Sequence, residues 1–257
     1  MPYKNFWSCV MRNYIKKSFI IKESNLDCYN KLSYFELMKM LEEVAGLHST
    51  SMGMSMSDLK NKDNGSWVIS KIKIDFAGEF PVSGEKLQVF SYPTKPTLIK
   101  NERNFVLNVN GKPFANVCSV WCIIDIDTRK SILTTKLNSL PKNFKFHKNE
   151  LDNMKFLSVD KSILQNTEAV LYEKQVELSD LDINNHLNNC VYTKIVVDAL
   201  GKEFFDNVNV KSYEVHFLKE VLLKEKIEVS IKNIENRYFV IGKVENENVF
   251  VAIVETL

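Results

Sequence analysis

The chain has 257 residues, which is more than one typical domain of about 100–150 residues and less than two large ones. Apolar residues make up 45% of the chain and charged residues 26%, a globular composition that excludes disorder or a collagen-like structure for the chain as a whole. The 34 basic and 32 acidic side chains leave a formal net charge of +2, which argues against a strongly basic nucleic-acid-binding protein.

The cysteines and the N-terminal residues predict a soluble cytoplasmic protein without a membrane-spanning segment. The five cysteines are scattered and form no CxxC pair, as is usual for reduced thiols inside cells. They are Cys9, Cys28, Cys118, Cys122 and Cys190. The apolar run at the N-terminus is too short for a signal peptide and ends at Arg12, Lys16 and Lys17. The longest apolar stretches, such as residues 117–124, fall far below the ~20 residues that a membrane helix needs.

Two segments that begin at Leu26 and Leu181 resemble each other, and each is predicted to be a loop followed by a helix. The first reads LDCYNKLSYFELMKMLEEVAGLH and the second reads LDINNHLNNCVYTKIVVDAL. Apolar residues recur at helical spacing in both, more regularly in the first. These positions are Leu37, Met40, Leu41, Val44 and Leu47 in the first segment and Val191, Ile195, Val196 and Leu200 in the second. Loop residues of the Asn and Asp type are expected to set the start of each helix.

Matching strands follow the two predicted helices. Residues 72–89 parallel residues 213–229 in their pattern of apolar and charged positions. In the first half, residues 105–108 and 115–124 are predicted to form a β-hairpin across Asn110-Gly111, a dipeptide that favours tight hairpin turns.

A second hairpin is predicted to join residues 239–244 to residues 249–254 across residues 246–248, and its polar face indicates an edge or half-buried sheet. The chain is therefore predicted to be a tandem duplication of an α+β unit, in which a long amphipathic helix packs on an antiparallel sheet. The predicted divisions are an N-terminal domain at 1–135, a connecting segment at 136–160 and a C-terminal domain at 161–257.

The strongest candidate for chemistry is the loop before the second helix. Asp182, Asn184 and His186 occupy every second position there, so their side chains can point in one direction toward the free N–H groups of a helix N-terminus. Such N–H groups can stabilise an oxyanion, and a histidine can transfer protons near neutral pH. The alternative is an Asn-rich turn with a capping Asp, which is a common structural feature.

The first half distinguishes between these interpretations. Asp27 occupies the position equivalent to Asp182, but Tyr29 and Lys31 replace the Asn and the His. If the loop needed Asn and His in order to fold, the first half should carry them too. The difference predicts one half that carries the chemistry and one half that supports it.

Glu220 is the second candidate. By the period-two rule of a strand it is expected to share a face with Glu214, His216 and Leu218, where a carboxylate could orient water or act as a base. A solvated strand-edge charge is the alternative. A metal site built from His186, His216, Asp182 and Glu220 also stays open, although no HExxH spacing occurs.

Other motifs are absent or structural. The sequence contains no GxSxG, no GxxxxGK[ST] and no GxGxxG. Cys118 and Cys122 are expected to be buried packing residues on one strand. Met52, Met54 and Met56 follow the first helix, where they form either a flexible flap or an adaptable apolar lid beside a lipid-like ligand.

The motifs taken together resemble a known family. The second half carries DxNxHxNNxxY as Asp182, Asn184, His186, Asn188, Asn189 and Tyr192. The first half carries Trp67 to Lys71, Arg103, Gly111, Ser119, Trp121, Asp125, Thr128, Arg129 and Lys130 at related spacing. The sequence resembles the bacterial and plant acyl-acyl carrier protein (ACP) thioesterases, which have a double hotdog fold.

The resemblance implies hydrolysis of fatty acyl-ACP to free fatty acid, which terminates fatty acid synthesis, with ACP as partner and no cofactor or metal. It implies catalysis by Asp182, Asn184, His186 and Glu220 in the second half, while the first half shapes the acyl pocket. Plant members carry a Cys where this chain has Val221, so a water or carboxylate mechanism is expected. Asn184 and helix N–H groups would hold the thioester carbonyl, Glu220 or Asp182 would activate water or attack, and His186 would orient the carboxylate or pass a proton. Two alternative functions are kept: an acyl-CoA thioesterase with the hotdog fold, and a non-catalytic acyl-binding protein. The sequence does not decide whether the protein is a homodimer or which acyl chain length it prefers.

Overall fold

One antiparallel sheet runs through both halves of the molecule. Within the residues that the computed structural model describes, namely 14–141, 146, 151, 154–165 and 169–257, ten strands form this sheet. Residues 1–13, with Cys9 and Arg12, and most of residues 142–153 in the predicted connecting segment lie outside the described residues. The strands are β1 (Ile15–Ile20), β2 (Gly65–Phe76), β3 (Lys86–Pro93), β4 (Asn101–Val109), β5 (Lys112–Asp125), β6 (Tyr172–Gln175), β7 (Val210–Phe217), β8 (Lys226–Ile234), β9 (Arg237–Val244) and β10 (Glu247–Thr256).

The strand order divides the sheet into two halves of five strands each. The order is β1-β3-β4-β5-β2-β7-β10-β9-β8-β6, and every pairing between these strands is antiparallel. Strands β2 and β7 join the halves, with Lys71 opposite His216 and Asp75 opposite Ser212. Each half therefore has the α+β composition predicted from its sequence pattern.

Two long helices cover the sheet and share its main hydrophobic core. These are α1 (Tyr34–Ser51) and α4 (Val191–Asn207), and the described residues also form the shorter helices α2 (Met56–Asp63) and α3 (Lys161–Leu164). Leu37, Leu41 and Val44 of α1 are buried in the core as predicted, but Leu47 is 43% exposed, so its assignment to the buried face was wrong. In the described part of the chain, no helix is both long and apolar enough to cross a bilayer.

The predicted helix cap is wrong for α1. The hydroxyl of Ser33, not an Asn or Asp, caps α1 by accepting a hydrogen bond from the Glu36 N–H. At α4 the prediction holds: Asn188 Oδ1 accepts a hydrogen bond from the Cys190 N–H, directly before the first helical residue, Val191. Cys190 is therefore the residue before the helix and not part of its first turn.

The loop before α1 is built around Asp27. Its N–H donates to the Lys31 carbonyl at 2.8 Å, and its Oδ1 accepts hydrogen bonds from the N–H groups of Tyr29 and Lys31 at 2.9 and 3.2 Å. Asn30 between them has a φ of 56°, a left-handed conformation that Asn tolerates better than most residues. One aspartate thus fixes the shape of the whole loop.

The first predicted hairpin is confirmed and the second needs correction. Strands β4 and β5 are joined by Asn110-Gly111 with φ angles of 49° and 82°. Strands β9 and β10 turn instead at Glu245 and Asn246.

The predicted edge position of the second hairpin is wrong, because β10 lies between β7 and β9. One face of this hairpin packs on the main core. The other carries Phe239, Ile241, Val251 and Ile253, which form a second cluster under Leu157, Val159, Ile163 and Leu164 of the connecting region. Burial on both faces explains why these strands read as nearly continuous apolar runs.

Candidate active site

The loop before α4 has the same hydrogen bonds between its aspartate and its backbone as the Asp27 loop. The Asp182 N–H donates to the His186 carbonyl at 2.8 Å, and Asp182 Oδ1 accepts from the N–H groups of Asn184 and His186 at 2.8 and 3.2 Å. Asp182 Oδ2 additionally accepts from Asn184 Nδ2 at 3.2 Å. Both carboxylate oxygens of Asp182 therefore accept hydrogen bonds within the loop, whereas the corresponding bonds to Asp27 are made by Oδ1. The side chains of Asn184 and His186 are what the second loop adds.

Glu220 reaches this loop through backbone pairing. The Leu187 N–H donates to the Val221 carbonyl at 2.8 Å, and His186 forms a bridge with Leu222. As a result, His186 Nε2 lies 3.4 Å from Glu220 Oε2, which is within ion-pair distance and longer than a well-formed hydrogen bond. The side chains are 23% and 38% exposed, so solvent can reach both.

The strand face predicted for Glu220 is wrong. Strand β7 ends at Phe217, so Glu220 belongs to the loop that follows it. Glu214 and His216 are buried as a separate pair, with His216 Nε2 2.5 Å from Glu214 Oε1, and Glu214 also accepts from the Leu157 N–H at 2.9 Å. Among the described residues, no three His, Cys, Asp or Glu side chains are placed to hold a metal ion together, so the structure offers no support for the four-residue metal site.

Arg129 is the cleft residue to which motif reasoning gave no role. Its guanidinium pairs through Nη2 with Glu220 Oε1, although the two residues are 91 positions apart in the chain. Arg129 entered the sequence pattern only as part of a family resemblance in the first half. No local spacing signals this contact, because it depends on how the two halves pack.

The start of α4 offers fewer free N–H groups than expected. The Cys190 N–H donates to Asn188 Oδ1 at 2.8 Å, and the Val191 N–H donates to the Asn188 carbonyl at 2.9 Å. These two groups are therefore occupied and cannot hold a thioester carbonyl without rearrangement. Cys190 is 1% exposed, and burial raises the pKa of its thiol, with nearby Glu42 raising it further. A neutral, buried thiol is a poor nucleophile.

Two cavities lie side by side at the Asp182 loop. The smaller, of about 320 Å³, is the cleft that contains Arg129, His186 and Glu220. The larger, of about 480 Å³, extends under the C-terminal end of α1 and the start of α2. Both are lined by Trp67, Asp182, Asn184 and Asn189. The cleft and the larger cavity are therefore direct neighbours with wall residues in common.

The segment after α1 contributes methionines to the wall of the larger cavity. Met52, Met54 and Met56 all line it, and the Met54 carbonyl accepts a hydrogen bond from Trp67 Nε1 at 2.9 Å. Met54 is 2% exposed, which favours the apolar-wall interpretation of this segment over a flexible flap. Flexible thioether side chains suit a wall that adapts to chains of different shape.

The buried guanidinium of Arg103 connects the elements that form this wall. Arg103 donates to Ser91 Oγ at 2.9 Å and to Ser49 Oγ at 3.2 Å, and its Nη1 lies 3.0 Å from His48 Nδ1. Burial lowers the pKa of Arg103 to about 10, which leaves the side chain charged at neutral pH. These contacts tie the end of α1 to β3 and β4 at the side of the cavity.

Comparison with known proteins identifies the family. The acyl-ACP thioesterase N-terminal domain matches residues 12–136, and the acyl-ACP thioesterase C-terminal domain matches residues 164–252. Oleoyl-acyl carrier protein thioesterase 1, chloroplastic, of Arabidopsis thaliana is 19% identical over 218 residues, which are 80% of this chain and 60% of that protein. Palmitoyl-acyl carrier protein thioesterase, chloroplastic, of Gossypium hirsutum is 22% identical over 241 residues, 86% of this chain and 56% of that protein. The chain thus spans less than two thirds of the length of these curated relatives.

Solved structures share the fold over nearly the whole chain. The crystal structure of an acyl-ACP thioesterase from Bacteroides thetaiotaomicron has a TM-score of 0.82 at 22% identity and covers 95% of this chain and 98% of that one. The 12:0-ACP thioesterase from Umbellularia californica has a TM-score of 0.78 at 14% identity, with 96% and 98% covered. The predicted tandem hotdog fold is therefore confirmed. Since the two family models together match well over half of its residues, the chain belongs to the acyl-ACP thioesterase family.

Proposed function

We propose that this protein hydrolyses fatty acyl-ACP to free fatty acid and ACP, the reaction that terminates fatty acid synthesis. One observation carries the proposal: the cleft with His186 and Glu220 lies directly beside a larger, Met-lined cavity and shares wall residues with it. That arrangement suits a substrate with a reactive thioester at one end and an apolar chain behind it. We further propose that it acts in the cytoplasm.

In the proposed mechanism, Glu220 is the base. The thioester lies where the two cavities meet, and Glu220 takes a proton from a water molecule as that water attacks the carbonyl carbon. We favour Glu220 over Asp182 for this step, because both oxygens of Asp182 already accept hydrogen bonds within the loop. Asp182 is then a positioning residue, which presents Asn184 and His186 to the cleft.

Asn184 and His186 assist the bond changes. Asn184 Nδ2 has two hydrogens and donates one of them to Asp182, which leaves the other for the developing oxyanion. When the C–S bond breaks, the proton taken up by Glu220 passes through His186 to the departing sulfur. A thiol with a pKa of about 8.5 leaves readily, so the proton transfer contributes less than the activation of water.

A panel of thioesters tests the proposal. We expect kcat/KM to be higher for acyl-ACP than for acyl-CoA of the same chain length, measured as thiol release. ACP is acidic, so the preference should shrink with added salt, which screens charges over ~10 Å at 0.1 M. A preference for CoA that salt does not change would identify an acyl-CoA thioesterase instead. Tight binding of acyl-ACP without thiol release would identify a non-catalytic acyl-binding protein.

A further inference from the structure

We infer that Arg129 of the N-terminal half is a positioning residue that orients Glu220 for catalysis; the inference rests on the proposed function. Glu220 receives Arg129 on Oε1 and faces His186 on Oε2 at 3.4 Å. A carboxylate held on one oxygen by a planar guanidinium keeps its other oxygen in a fixed direction. Here that direction is toward His186, across the cleft that all three residues line.

Arg129 is itself held by a rigid turn after β5. Asp125 Oδ1 accepts from the Thr128 N–H at 2.7 Å and from the Thr128 hydroxyl at 2.8 Å, and the Asp125 carbonyl accepts from the Arg129 N–H at 2.9 Å. Asn64 Nδ2 donates to Asp125 Oδ2 at 3.1 Å, which fastens the turn to the start of β2. Arg129 has a φ of 58°, a conformation uncommon for residues other than glycine. The turn therefore fixes the backbone position from which the Arg129 side chain reaches Glu220.

The position of this ion pair distinguishes it from the other surface pairs. Exposed pairs contribute little to stability, and Lys226 with Glu173 is one of that kind, with side chains 47% and 54% exposed. Arg129 and Glu220 are 43% and 38% exposed, so their pairing is equally unsuited to stabilising the fold. What distinguishes the pair is that Glu220 faces the cleft and the candidate histidine. We therefore assign the contact to catalysis and not to stability.

Both halves of the chain then contribute residues to the proposed reaction. The missing His and Asn in the first loop predicted that the first half only supports the second. Arg129 comes from the first half and touches the carboxylate on which the proposed reaction depends. The reaction then needs both halves in contact at the β2–β7 junction.

The test compares Arg129→Met, Arg129→Lys and Arg129→Ala with wild type on saturating acyl-ACP, with Lys226→Met as the matched loss of a surface charge. We expect Arg129→Met to lower kcat by up to about 100-fold, the loss that misplacing a reacting group by about 1 Å can cause, with little change in KM. Arg129→Lys should retain part of the activity because it keeps the charge but not the planar fork. Added guanidinium should partly restore Arg129→Ala, and Lys226→Met should match wild type. All four variants should unfold at the wild-type temperature.

Three results would overturn the inference. An unchanged kcat in Arg129→Met would show that Glu220 does not need Arg129. A raised KM for acyl-ACP at unchanged kcat would assign Arg129 to binding the carrier. A loss of activity that follows a fall in unfolding temperature and is not restored by guanidinium would make the role structural. These outcomes differ from failure of the proposed function, in which wild type itself releases no thiol from any thioester and both proposals fall together.

Discussion

Asp27 and Asp182 occupy equivalent positions in the two halves, and each accepts hydrogen bonds from the backbone two and four residues further on. The two aspartates thus stabilise the same loop conformation, while only the second does so in a loop that contains a histidine. This pair separates the structural role of the aspartate from the role proposed for Asp182 in catalysis, because Asp27 can be changed without touching the candidate site.

Replacing either aspartate by alanine should destabilise the protein to a similar extent. Each loses hydrogen bonds of about 0.5–1.5 kcal/mol apiece, which urea unfolding measures. Only Asp182→Ala should also reduce kcat by orders of magnitude, because it releases Asn184 and His186. Full activity in Asp182→Ala would place Asp182 outside the catalytic arrangement.

His186→Ala should reduce kcat by ~10²–10⁴-fold, the usual contribution of a general acid or base, without a change in unfolding temperature. Lys31→Ala is the matched control, because Lys31 has the equivalent position and, within the described residues, pairs only with the exposed Glu79 at 3.8 Å. It should keep the wild-type rate. Equal losses in the two variants would refute the assignment of the chemistry to the second loop.

The reaction should not depend on a thiol. Cys190 is buried with a raised pKa, so Cys190→Ala should keep most of the activity, and iodoacetamide should label the exposed Cys28 before the buried Cys118 and Cys190, with little inhibition. Glu220→Gln should be nearly inactive, since an amide cannot accept the proton from water, whereas Glu173→Gln on the surface should match wild type. Peptide mapping of the labelled protein identifies the modified cysteine. An inactive Cys190→Ala beside an active Glu220→Gln would replace the carboxylate mechanism by a cysteine mechanism.

The repeated pattern was readable from the sequence because its determinants are local. The apolar positions of α1, the Asn110-Gly111 turn and the Asp27 and Asp182 loops each depend on residues within a few positions of one another. These signals predicted the duplication and brought His186 forward as a candidate.

What the sequence did not predict depends on long-range packing. Period-two reasoning extended β7 to Glu220, but the strand stops at Phe217, and the pairing of Leu187 with Val221 then decides where Glu220 points. The contact of Arg129 with Glu220 arises only when the two halves meet. Likewise, the second face of β9 and β10 is buried by residues 157–164, which lie far away in the chain.

Glu42 should make stability depend on pH. Burial raises the pKa of this carboxyl group, although hydrogen bonding by Cys190 and Asn189 opposes the rise. Because the folded pKa lies above the unfolded one, the contribution to stability is present below the unfolded pKa of about 4.3 and is lost as the pH rises through the folded pKa. Glu42→Gln cannot ionise, so its unfolding temperature relative to wild type should rise between about pH 4 and about pH 8.

The neighbouring Glu43 provides the control for this measurement. It is exposed and pairs with Lys17, so Glu43→Gln should show no such rise. If Glu42→Gln were less stable than wild type at the higher pH, the charged form of Glu42 would be the one that the fold favours.

Gly46 offers a way to shorten the cavity without disturbing the candidate site. It lies in α1 and lines the larger cavity, and a Cβ atom at this position would meet nothing within 4 Å. Gly46→Ala should therefore be tolerated and should stabilise the helix by roughly 0.5–1 kcal/mol, because alanine loses less backbone entropy than glycine.

Gly46→Leu places a branched side chain in the space proposed for the acyl chain. We expect kcat/KM to fall for long acyl chains and to be retained for short ones, as measured across a series of acyl-ACP lengths. Leu47→Ala, on the exposed side of the same helix turn, should leave the chain-length profile unchanged. An unaltered profile in Gly46→Leu would mean that the acyl chain lies elsewhere and that the larger cavity has another occupant.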